Sequence, residues 1–238
     1  MDTRLKDIRE SEKKSHIEIY SNEELYRTES WLKRPIKTIK DLIPLFHEHK
    51  ELSVLDLGCG VGRNCISIAK EYRNKDCHIE CVDILDLAIE KLYINAEAYG
   101  VSSNIEGIVK AIEDFKVKKN KYDLIIAVSA LEHIDTKESF VKKLEEIRDG
   151  IRENGIVCLV INTNVVEKDK KTGECVPAQF EVNFATEELQ TVLNDIFKDW
   201  AIIKETVQEQ QYDIPREFGV SDLRTNVVTY VVRKPMLL

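Results

Sequence analysis

Three glycines at alternate positions follow an aspartate in the run Asp56-Leu57-Gly58-Cys59-Gly60-Val61-Gly62. Glycine lets a backbone take positive φ and approach a ligand closely. The run closes an apolar stretch, LSVLDLG, and precedes a helical pattern from Arg63 to Tyr72. That is where open α/β sheets bind ligands, beyond the carboxyl ends of their strands. A simple strand-to-helix turn needs one glycine, so three after an Asp point to a ligand loop. Spacing selects the ligand. The dinucleotide fingerprint is G-x-G-x-x-G, with a pyrophosphate on the helix N-terminus. Counted from Gly58 its last glycine falls on Arg63, and counted from Gly60 it falls on Cys65. The dinucleotide pattern fails. Asp83 ends the next strand, HIECVD, about 20 residues further on, where a carboxylate can accept from ribose hydroxyls. It can also cap the helix that starts near Leu85. Ile84 would flank the adenine. Asp83 is shared with nicotinamide enzymes, so an NAD-dependent oxidoreductase stands as an alternative.

Fewer residues offer acid–base chemistry. His133 follows the strand YDLIIAVS and is a candidate base, or else a capping or cofactor-packing residue. Glu132 beside it reads as solvated or capping. Tyr26 and Trp31 are candidates for a lid over the ligand, or for ordinary packing. Arg224 precedes the last strand and could meet an anionic acceptor, although an exposed arginine is the default. Six cysteines at 59, 65, 77, 81, 158 and 175 form no zinc set with histidine, so no metal is expected. They read as reduced, packed thiols.

The elements that must position these groups alternate. Residues 1 to about 34 are polar but carry Tyr20, Tyr26 and Trp31, and are expected to form a cap segment before a main domain at 35–238. Pro35 opens an amphipathic stretch with Ile36, Ile39, Leu42, Ile43 and Phe46 at helical spacing. Helices follow over Arg63–Tyr72, Leu85–Ala98, Lys137–Arg152 and Glu187–Phe197, the last capped at Thr186. Strands are LSVLDLG, HIECVD, Ile105–Lys110, YDLIIAVS, IVCLVIN, WAIIKETVQ and NVVTYVVRK. This alternation predicts an α/β fold with a parallel sheet covered on both faces. The charged run EKDKKTGE within 164–184 reads as a solvated loop, and the stretch around Pro215 and Gly219 as a loop between the last two strands.

Bulk numbers narrow the classes. The chain has 238 residues, 43% hydrophobic and 33% charged, enough for one α/β domain with a real core. Its net charge of −8 disfavours a nonspecific nucleic-acid binder. No apolar run approaches the ~20 residues needed to span a bilayer. The opening MDTRLKDIRESEKK lacks an apolar signal region, so a cytoplasmic location is expected.

The pattern D-x-G-x-G-x-G resembles motif I of class I S-adenosylmethionine-dependent methyltransferases. LDLGCGVGRN, Tyr26-Arg27-Thr28-Glu29-Ser30, KYDLIIAVSALEHI, PAQFEVNFATEEL and NVVTYVVRK resemble segments of the tellurite-resistance-type methyltransferases. The resemblance implies a three-layer Rossmann-like fold, with a seven-stranded, mostly parallel sheet and an antiparallel last strand. It implies S-adenosylmethionine as cofactor and a small-molecule or metalloid-oxyanion methyl acceptor, with no membrane partner. A cofactor-binding protein without catalysis remains an alternative. The implied cofactor contacts are Arg27, Ser30, Asp56, Gly58, Cys59, Gly60, Gly62, Asn64, Asp83, Ile84, Ala111, Ile112, Glu113, Val128, Ser129 and His133. One position departs from the family: Lys110 stands where an Asp usually ends the third strand. The family's methyl transfer is an in-line displacement from a good leaving group. It needs alignment above all, and a base only when the acceptor carries a proton.

Overall fold

The computed structural model describes residues 3–28, 30, 32–73, 76–216 and 218–236. Six helices are described: α1 (Thr3–Asn22), α2 (Lys37–Leu42), α3 (Cys65–Tyr72), α4 (Asp86–Ala98), α5 (Lys137–Gly150) and α6 (Thr186–Ile196). The strands are β1 (Glu51–Leu57), β2 (Asp76–Asp83), β3 (Ile105–Val109), β4 (Tyr122–Val128), β5 (Ile151–Asp169), β6 (Cys175–Val176), β7 (Ala201–Arg216) and β8 (Gly219–Arg233). They run β3-β2-β1-β4-β5-β8-β7, with β6 paired to the far end of β5. β3, β2, β1, β4 and β5 are mutually parallel, and β8 is antiparallel to both β5 and β7. The mostly parallel, Rossmann-like sheet expected from the sequence is present, with an eighth short strand, β6, added beyond the seven expected.

Alternation along the strands produces two cores. In β1, Val54 faces one layer and Leu55 the other, as a period of two requires. Val54 packs with Ile79 and Ile126 beneath Ile66 and Ala69 of α3 and Ala88 and Leu92 of α4. Leu55 packs with Ile125, Val157 and Tyr230 beneath Phe140, Leu144 and Ile147 of α5 and Leu189 and Leu193 of α6. Chain order reverses between β1 and β4, which opens a crevice above their carboxyl ends.

Three local expectations change. EKDKKTGE is no free loop: β5 continues to Asp169, and the chain turns back into β6 after only five residues. Pro215 lies inside β7 rather than in a loop, and β7 and β8 pair as far as Arg216↔Gly219. Proline is tolerated there because β7 is the sheet edge, where a missing N–H costs no ladder bond. Thr186 is the first residue of α6, not its cap. Its hydroxyl instead accepts from Asn164 and Asn226, both at 3.1 Å. Glu188 reaches back to the Ala185 N–H at 3.3 Å.

Leu144 is fully buried between α5 and the sheet. Leu144→Ala should therefore lower the unfolding free energy by about 2–5 kcal/mol, read as a reduced urea midpoint with unchanged slope.

Candidate cofactor site

The crevice begins where β1 ends. The N–H groups of Gly58 and Cys59 donate to the Val82 carbonyl at 2.8 and 3.0 Å, tying the glycine loop to β2. Asp83 Oδ2 accepts from the Gly60 N–H at 2.9 Å, and its Oδ1 accepts from the Leu85 N–H at 3.0 Å. One carboxylate thus holds the loop and the start of α4. Gly58 and Gly60 have φ of +73° and +52°. A Cβ on Gly58 would lie 2.3 Å from that of Ala130, and one on Gly60 2.8 Å from the Tyr20 hydroxyl. Gly62, at φ +95°, faces elsewhere: a Cβ would strike Ile66 and Leu92 at 2.6 and 2.7 Å, so this glycine serves helix packing.

Above the loop lies a cavity of about 570 Å³. One half is walled by Gly58, Cys59, Gly60, Asn64, Asp83, Ile84 and the Ala111-Ile112-Glu113 turn. The other half is walled by Val128, Ser129, Glu132 and His133 after β4, by Asn162 on β5, and by Phe180 and Glu181. Ser129 is strained at φ +49°, with its N–H fixed on Val160 O at 2.8 Å. Glu132 is buried. Its Oε1 accepts from the Asn162 backbone N–H at 3.2 Å and from that residue's side-chain amide. His133 is half-buried, stacked on Phe180 with ring centroids 5.4 Å apart, and its Nδ1 lies 2.9 Å from Glu181 Oε2.

The third wall is α1. Lys6, Arg9, Lys13, His16 and Tyr20 recur every three or four residues, and all face the cavity. Arg9 pairs with Glu113 in one half, and its Nε lies 3.5 Å from Glu181 in the other. Arg4 donates to the Phe180 carbonyl at 3.0 Å. Helix α1 is thereby tied across the crevice.

Charge in the site follows burial and neighbours. Burial raises the Asp83 carboxyl, against backbone hydrogen bonds from Leu85 and Gly60 and the nearby His16. Burial pushes Asp56 up to about 7 despite a hydrogen bond from Cys65. Burial also raises Glu132. Burial alone would lower His133, but the hydrogen bond to Glu181 and the charges of Glu132, Glu12 and Glu181 lift it to about 9. At neutral pH this ring is a cation, which does not suit a general base.

Of the residues singled out from sequence, Gly58, Cys59, Gly60, Asn64, Asp83, Ile84, Ala111, Ile112, Glu113, Val128, Ser129 and His133 surround this one cavity. Others do not reach its wall. Asp56 lies beneath the loop, 1% exposed, with one oxygen unpartnered among the described residues. Arg27 is exposed beside Glu24, and Ser30 is buried on the Leu32 N–H. Tyr26 donates to Arg63 O at 2.8 Å and packs on Tyr99. Arg224 is exposed beside Asp222 on β8. Trp31 lies outside the described residues. The cavity face of α1, and the roles of Glu132, Asn162, Phe180 and Glu181, were not anticipated. The signal for α1 was its polar residues at helical spacing.

A glycine-rich loop after the first strand, an acid after the second and a cavity at the switch point define a Rossmann-like protein built for a nucleoside cofactor. Residues 48–213 match a family described as a methyltransferase domain. The chain belongs to that methyltransferase-domain family. It is 29% identical over 103 residues to ajmaline N-methyltransferase of Rauvolfia serpentina, covering 42% of this chain and 33% of that one. It is 23% identical over 122 residues to carboxy-S-adenosyl-L-methionine synthase of Vibrio atlanticus, covering 51% and 48%. The chain therefore spans half or less of these relatives' length. Its fold is shared with TehB from Haemophilus influenzae, at TM-score 0.59 and 20% identity, covering 82% of this chain and 62% of that one. A methyltransferase from Methanosarcina mazei is similar at TM-score 0.57 and 15% identity, covering 86% and 100%.

The family implies S-adenosylmethionine, and the residues fit it. The Gly58–Gly60 backbone forms a cradle that a Cβ would fill, and Asp83 keeps lone pairs free for hydroxyl donors. The His133 pair sets a pH dependence. Because its pKa is raised on folding, the stability it contributes is full below the ordinary histidine value of about 6.5 and is lost as pH rises through about 9. NMR titration should place the His133 midpoint near 9 in the wild type and well below that in Glu181→Gln.

Proposed function

We propose that this chain transfers a methyl group from S-adenosylmethionine to a small-molecule acceptor. The observation that carries the reading is the Asp83 carboxylate, bonded to the glycine loop and lining the same cavity as Gly58 and Gly60. When bound, the cofactor supplies a methyl group activated by its sulfonium. The chain supplies the rest. Gly58 and Gly60 allow close backbone approach, and Asp83 takes the ribose hydroxyls. Ile84 and the Ala111–Glu113 turn flank the adenine. Helix α1, strapped by Arg9, excludes water. Alignment of this kind is worth up to about 7–11 kcal/mol of barrier.

Several facts support a small acceptor. The relatives include enzymes named as N-methyltransferases of ajmaline and of (S)-tetrahydroprotoberberine. The cavity is the size of one cofactor with a modest companion. The net charge of −8 suits neither nucleic acid nor an anionic membrane surface. Among the described residues no helix is long and apolar enough to cross a membrane. Carboxylates outnumber cations around His133, which favours a neutral or cationic acceptor over a metalloid oxyanion.

Calorimetric titration should show one S-adenosylmethionine bound per chain, and no NADH. At 100 times the dissociation constant the cofactor should add about 2.7 kcal/mol of stability. Absence of binding at millimolar cofactor, or tight NADH binding, would contradict the reading.

A further inference from the structure

The half of the cavity beside β4 and β5 is free of the glycine loop, and two buried atoms there make no hydrogen bond among the described residues: Arg9 Nε, 3.5 Å from Glu181, and Oε2 of Glu132. Glu132 is 1% exposed, and both bonds from Asn162 fall on Oε1. Its Oε2 has no partner among the described residues, yet Glu132 lines the cavity. A buried carboxylate oxygen left unpaired costs the full desolvation of that oxygen. Such an atom in a cavity wall marks the place where a ligand donates.

The groups facing Glu132 sharpen what the donor is. Its own turn presents His133, β5 presents Asn162, and Glu181 and Glu12 approach the same ring from the loop before α6 and from α1. His133 is already committed to Glu181, and Arg9 to Glu113 and Glu181. Neither cation donates a hydrogen bond to Oε2. Oε2 therefore faces the chamber without a hydrogen-bond donor among the described residues, the His133 ring acting on it through charge alone, with the Phe180 ring nearby for an apolar substituent.

Resting on the methyltransferase reading above, we infer that Glu132 Oε2 receives an N–H of the methyl acceptor, so that the acceptor is a small organic amine arriving as its ammonium ion. The acceptor gives one proton to Glu132 and regains its nitrogen lone pair. A nitrogen–carbon bond then forms as the carbon–sulfur bond breaks, and the sulfur keeps the electron pair. The positive charge passes from sulfur to nitrogen, and the proton stays on Glu132 until release. Glu132 is thus a catalytic residue, and His133, held by Glu181, is a positioning residue beside it.

The test uses the whole chain saturated with S-adenosylhomocysteine, so that binding is read without turnover. Benzylammonium should bind about tenfold or more tightly than the neutral isostere benzyl alcohol. Glu132→Gln should erase that preference while keeping S-adenosylmethionine affinity within about threefold. With S-adenosylmethionine present, Glu132→Gln should lower the benzylamine rate by about 100-fold or more, and Glu132→Asp should restore part of it. Equal binding of benzylammonium and benzyl alcohol overturns the inference. So does a Glu132→Gln protein that keeps the preference, or turnover of tellurite, selenite, thiols or phenols with no amine turned over. Failure of the wild type to bind S-adenosylmethionine is a different result: it removes the methyltransferase reading, and the inference falls with it.

Discussion

The Asp83 carboxylate is the interaction on which the rest of the site depends. It accepts from Gly60 on one side and Leu85 on the other, so a single side chain couples the glycine loop to the first turn of α4. The same loop holds positive φ at Gly58 and Gly60 while Val82 takes two of its N–H groups. Burial works against the charged form of Asp83, and the two backbone donors work for it. Both backbone bonds fall on a carboxylate that lines the cavity wall. Asp56, one strand away and without such donors on both oxygens, shows the other outcome. It sits beneath the loop with an unpartnered oxygen and a pKa near 7.

Much of this was legible in the sequence because the constraints are local. Sterics at three glycines and one acid, read against strand and helix periodicity, are enough to place the loop and Asp83. Val54 and Leu55 reveal a doubly covered strand by being apolar on both faces. Other parts gave no such signal. The distal halves of β5 and β8 bury one face through Val165, Glu167, Ser221, Leu223 and Thr225, most of them polar, so the apolar alternation that marks a strand is broken and they read as loop. Their pairing is set by backbone ladders, to which composition is nearly blind. Helix α1 hid for a related reason: the face it turns inward meets a polar cavity and so carries Lys6, Arg9, Lys13 and His16 rather than apolar residues. Thr186 was misread because its hydroxyl serves Asn164 and Asn226, which come from distant points in the chain.

The two halves of the cavity differ in how they are built. The half at β1 and β2 is shaped by backbone and by two acids, Asp83 and Glu113. The half at β4 and β5 is a dense set of titratable side chains: Glu132, His133 and Glu181, with Arg9 and Glu12 from α1. Arg9 joins the halves through Glu113 and Glu181.

The most direct test of the central claim removes the groups that Asp83 is said to hold. Calorimetric titration would compare S-adenosylhomocysteine with its 2′,3′-dideoxy analogue, in the wild type and in Asp83→Asn. The wild type should bind the analogue about 10–100-fold more weakly, the value of hydrogen bonds to a charged group, and Asp83→Asn should compress that difference. Equal affinity of the wild type for the two ligands would contradict the account.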